Sequence, residues 1–183
     1  MLEQLPDRLP AWLVSLLAWF HVDFAPEHRQ PSAFTLLAAS AFAVAGSLAA
    51  DAVLVAIGTH VFPGTAGYVH FHPGDYGKLT IIGVVIACVA WPVVTRISST
   101  PRWLFFRQAI AVTLVLWIPD LWILYKGSQP RAVAVLMVMH LAIALVTYNC
   151  LVHVARIRPL SGTARHRHAA GSDSSDRYAG RGA

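Results

Sequence analysis

Three ionisable residues interrupt the long apolar stretches of this chain: Asp51 in "SLAADAVLV", Asp120 in "WIPDLW" and His140 in "MVMHLAIA". A charge held near the centre of a bilayer costs about 2.5–3.5 kcal/mol on insertion scales, so such a residue signals a partner or a function. Carboxylate and imidazole together are the groups that proton relays use, and they also suit small cations. Lys78, at the start of another apolar stretch, would add a positive charge. A second set lies in "HFHPGDYG", which supplies His70, His72 and Asp75, with His60 a little earlier. If that stretch is extended, alternate side chains point the same way, and His70 and His72 could face one zinc or copper ion completed by Asp75 or His60. The competing reading is a turn at Pro73-Gly74-Asp75 with histidines at the membrane interface. His166 and His168 in "RHRH" read as part of a solvated basic tail.

The elements that hold these residues are set by composition. Of 183 residues, 56% are hydrophobic and 13% charged, where a soluble domain carries about 25% charged residues. Four segments reach the roughly 20 apolar residues that a helix needs to cross a hydrocarbon core: about 33–58, 78–97, 103–125 and 132–156. "RISSTPR" and "KGSQPR" between the later spans are too short for anything but tight turns, which makes neighbouring helices antiparallel. The expected fold is an all-α, integral membrane four-helix bundle. Residues 1–31 read as an N-terminal segment with a short apolar helix at the interface, 32–158 as the four-span domain and 159–183 as a disordered tail. A cleaved leader is the alternative for the N-terminus, against which stand Glu3, Asp7 and the absence of a basic start.

Depth can be counted from the ends of the spans. At 1.5 Å per residue, Asp51 lies about 10 Å, Asp120 about 8 Å and His140 about 14 Å from the same face of the membrane. Asp51 shares its helix face with Ser47, Ala43 and Ala39, a stripe of small residues that marks close helix approach. His140 shares a face with Ala144, Thr147 and Tyr148, and Asp120 with Trp117 and Thr113. A buried polar layer of Asp51, Asp120 and His140, capped by Lys78, is therefore expected.

Net charge is +5, but no basic face interleaves with aromatics, so membrane orientation explains the charge better than nucleic acid does. Eleven Lys and Arg residues fall on the side of the termini and three on the other. That split predicts both termini in the cytoplasm and a multi-pass protein of the inner membrane. Cys88 and Cys150 lie inside apolar runs with no metal-ligand spacing and read as packed thiols. P-loop, G-x-S-x-G, H-E-x-x-H and Rossmann glycine patterns are all absent. His140 and His153 share one helix about 20 Å apart, so they cannot be the two axial ligands of one haem.

The segment "WLFFRQAIAVTLVLWIPDLWIL" followed by "RAVAVLMVMHLAIALVTYNCLVHVARI" resembles a group of small actinobacterial four-helix membrane proteins of unknown function, whose fourth helix tends to carry an "lMHl.vA"-like run. Here that run is Met137 to Ala144, with His140 as the matching histidine, and the long histidine loop departs from the pattern. The resemblance implies the architecture and names no reaction.

Three functional readings follow. The first is a non-enzymatic accessory or interaction subunit, a homo-oligomer or the partner of another membrane protein, assembled through the small-residue face of the first span. The second is a proton- or cation-coupled carrier or sensor built on Asp51, Asp120 and His140. The third is a metal-binding activity at the loop histidines. Apart from that zinc or copper site, no cofactor is expected, and the lipid bilayer is the expected surrounding.

Overall fold

The computed structural model describes residues 10–19, 22 and 28–159. The expectations for residues 1–9, including the leader, and for the tail from 160 onward, with His166 and His168, lie outside the described residues. Within them the chain is all-α. A short helix, α1 (Ala11–Trp19), precedes four long ones: α2 (Ala33–Val61), α3 (Pro73–Ile97), α4 (Pro101–Tyr125) and α5 (Pro130–Val154). All four long helices are long and apolar enough to cross a membrane, the arrangement of a multi-pass membrane protein.

Local chemistry sets where these helices begin. Ser32 caps α2, its hydroxyl accepting from the Thr35 N–H at 3.2 Å. The other three long helices open on proline, at Pro73, Pro101 and Pro130, where the missing N–H would have had no helical partner anyway. The opening at Pro73 corrects the expected start at 78. Pro73-Gly74-Asp75 is the first turn of α3 rather than a free turn, with Asp75 where a carboxylate suits the helix dipole. Gly127, at φ +95°, lets the chain reverse between α4 and α5. Pro92 and Pro119 lie inside α3 and α4, which continue through them.

The most extensive helix pair is α2 with α5. Ala39, Ala43, Ser47 and Asp51 are each fully buried, one residue per turn along α2. A Cβ on Gly46 would meet Val146 Cγ1 at 3.0 Å, and one on Gly58 would meet Val135 Cγ2 at 2.8 Å, so the two antiparallel helices touch closely beside the stripe and again two turns beyond it. Ser47 and Thr147 hydroxyls face each other across this seam at 3.5 Å. The expected helix-packing stripe is thus real, but it is used within the chain. Its small residues let α5 approach and are covered within the chain by that approach.

Two clusters fill the bundle. One, around Val84, Trp91, Leu104, Phe105 and Leu151, lies toward the end where α2 begins and α5 finishes. There the Trp91 indole N–H donates to the Ala155 carbonyl at 3.1 Å. The other, around Phe71, Val135, Leu136 and Met139, lies at the opposite end. The loop over that end is folded: Pro63–Thr65 and Val69–Phe71 form single 3-10 turns, and Thr65 and Phe71 are buried.

At the α2-start end, a two-residue antiparallel ladder joins β1 (His28–Arg29) to β2 (Arg158–Pro159). Helix α1 has no buried residue. It is tied to α4 by Arg107, whose guanidinium lies 4.4 Å from the Trp19 ring centre and 4.6 Å from that of Trp103 and donates to the Trp19 carbonyl.

Candidate functional site

Asp51 and Asp120 sit on the inward stripes of α2 and α4, and Asp120 meets His140 of α5. Along α3 the inward positions are Gly77, Thr80, Val84 and Cys88, which brings Thr80 against α2. Its hydroxyl donates to Asp51 Oδ2 at 2.6 Å, a short bond between buried partners. Asp51 Oδ1 is buried with no hydrogen-bond partner.

Across the bundle, His140 Nδ1 lies 3.1 Å from Asp120 Oδ2 and 3.0 Å from the Leu136 carbonyl oxygen. Nδ1 carries a single hydrogen. When that hydrogen serves the Leu136 carbonyl in its own helix, Asp120 Oδ2 keeps an ionic contact without an aligned donor, and it too is a buried oxygen lacking a hydrogen bond. Beside His70, at 5.4 Å between ring centres, stands Tyr68, whose hydroxyl oxygen is buried and unpartnered.

One carboxylate, Asp120, is thus paired with the imidazole, and the other, Asp51, with the Thr80 hydroxyl. If all three groups are ionised the site holds a net charge of minus one in a medium where uncompensated charge is expensive. No described Lys or Arg makes an ion pair there; Asp120 with His140 is the ion pair among the described residues. One further proton, or a small cation, restores neutrality.

Several expected residues stand elsewhere. Lys78 is exposed and does not cap the layer. It follows Gly77 by one position, a rotation of about 100° on a helix, so its side chain turns away while Thr80 turns in. His60, His70, His72 and Asp75 are all exposed. The stretch read as extended is a 3-10 turn followed by the start of α3, which removes the alternation that would aim His70 and His72 together. Among the described residues no group of three or more His, Cys, Asp or Glu gathers to hold a metal.

Thr80 and Tyr68 were not singled out from the sequence. Thr80 carries a faint signal, since it is three residues after Gly77 and four before Val84 on one face. Tyr68 carries none, because the loop fold that buries it depends on contacts far along the chain. Comparison with known proteins adds no name: no protein-family model, curated protein or solved structure matches the chain. The likeness of the last two helices to small actinobacterial membrane proteins accordingly remains an expectation.

Proposed function

We propose that this protein is a proton-responsive membrane carrier or sensor whose working site is the layer of Asp51, Asp120 and His140. The observation that carries the reading is the charge balance: there are two buried carboxylates, each with an oxygen lacking a hydrogen bond, and one imidazole, which is paired with Asp120. Such a site holds one exchangeable proton, or a small cation in its place, and gains or loses it as the surroundings change. The loop end offers the route of approach, where the exposed His70 ring stands 5.4 Å from that of Tyr68. The accessory-subunit alternative is weaker, because the face of α2 on which it rested is already occupied by α5. It would need another helix face.

The test is proton uptake by purified protein in liposomes. An infrared difference spectrum across a pH step is expected to show a carboxylic-acid C=O band that disappears in Asp51→Asn or Asp120→Asn. A dye-monitored proton gradient then separates the two forms of the proposal. Flux lost in the same variants means a carrier, and titration without flux means a sensor. If the wild type shows neither flux nor an aspartate-dependent acid band, the layer is structural and the reading falls.

A further inference from the structure

At the opposite end of the bundle the chain builds an open cleft of about 820 Å³, lined by Arg29, Arg102, Arg156 and Arg158 together with Ser32 and Thr35. Its four guanidinium groups come from three separate stretches: the strand before α2, the first turn of α4 and the chain leaving α5. No described carboxylate pairs with any of them. The described carboxylates, Asp51, Asp75 and Asp120, lie in the half of the bundle nearer the loop.

The four arginines are exposed, and two features of the backbone that carries them set them together. In the β1–β2 ladder, Arg29 is the direct partner of Arg158. Like charges opposite one another weaken an antiparallel pair, so the ladder places two cations where each raises the energy of the other. The backbone on both sides is also pinned. Gln30 Nε2 donates to the Thr95 carbonyl at 3.3 Å while the Thr95 hydroxyl donates to Gln30 Oε1 at 2.8 Å. On the other side Ala155 accepts from Trp91, and Arg156 Nε donates to the His153 carbonyl at 2.8 Å. Backbone fixed in this way keeps four exposed guanidinium groups around one cleft, where an anion would relieve their mutual repulsion.

We infer that this cleft binds a phosphate-ester group, the guanidinium forks matching its oxygens in pairs. The volume is in the range of small-molecule sites, roughly 300–1,000 Å³, and leaves room for the group that the phosphate esterifies. That group is either the remainder of an anionic lipid headgroup at the membrane surface or a soluble phosphate monoester.

The experiment is a thermal-unfolding titration of the detergent-solubilised full chain, with short-chain phosphatidylglycerol in one arm and glycerol 3-phosphate in the other. Wild type is compared with Arg29→Gln/Arg158→Gln, with Arg102→Gln, and with Lys126→Gln/Arg131→Gln as a control at the far end. The expected result is a ligand-dependent rise in midpoint for wild type and control, with apparent affinity lowered about tenfold or more in both cleft variants. Without ligand, Arg29→Gln/Arg158→Gln should unfold no earlier than wild type, because the like-charge pair is gone; Arg102→Gln keeps the ladder and tests the cleft independently. A response to the lipid alone assigns the headgroup, and a response to glycerol 3-phosphate assigns a soluble ester. The inference is overturned if neither ligand shifts wild type, or if the control loses the response as much as the cleft variants do.

Discussion

Replacing Gly58 by alanine tests the seam that fixes Asp51 relative to His140. The new methyl would lie 2.8 Å from Val135 Cγ2 and 3.1 Å from Cγ1, where carbon atoms prefer about 3.5–4.0 Å. Val135 cannot swing aside easily, since a β-branched side chain in a helix holds one strongly preferred rotamer. The helices must part by roughly half an ångström or more, or the valine must leave its rotamer. Overpacking of this kind costs about 1–3 kcal/mol, and the helix-propensity gain of glycine to alanine returns about 1 kcal/mol. Gly58→Ala is thus expected to destabilise by about 0–2 kcal/mol. In a Val135→Ala background the obstacle is gone, and the same change should stabilise by about 1 kcal/mol. Reversible unfolding of the reconstituted protein, read as a double-mutant cycle, measures both. Equal stabilisation by Gly58→Ala in the two backgrounds would refute the close approach of α2 and α5.

Other predictions follow from single contacts. Thr80→Val keeps the shape but leaves Asp51 Oδ2 without its donor, and should cost about 1–3 kcal/mol in the same unfolding assay; an unchanged stability would remove Thr80 from the site. Trp91→Phe should lose about 0.5–1.5 kcal/mol, because the Ala155 carbonyl forfeits its donor, with Phe105 still in ring contact. Arg107→Gln removes two cation–π contacts worth about 0.5–1 kcal/mol each at exposed sites. It should speed thiol labelling of a Ser15→Cys probe on α1, and an unaltered labelling rate would show that Arg107 does not hold that helix.

The four spans were legible because long apolar runs and short turns leave few alternatives. The start of α3 was not, since Pro-Gly-Asp reads equally as a turn and as a proline-led first helical turn. Small residues at every fourth position of α2 identified its packing face, yet nothing local named α5 as the partner. The inward aim of Asp51 and Asp120 was readable from their neighbours on the helix. The misplacement of Lys78 was a matter of phase: one residue of rotation separates an inward threonine stripe from an outward lysine. The histidine loop misled because HxH alternation presumes extended backbone, and a 3-10 turn breaks it. The arginine cleft was invisible, because Arg29 and Arg158 meet only once the two ends of the four-helix domain have come together.

The pairing of α2 with α5 also bears on how the chain is made. Its defining contact, Ser47 with Thr147, joins residues 100 apart in sequence. At ribosomal rates of about 5–20 residues per second, that interval lasts about 5–20 s. During it α2 is already synthesised while the helix that will cover its glycines and Ser47 is not. Asp51 waits with the earlier partner, Thr80, which arrives within the next span. Of the two helices packed on that face, α3 is thus the first made, and Thr80→Val is expected to lower the yield of inserted protein even in conditions where the finished bundle tolerates it.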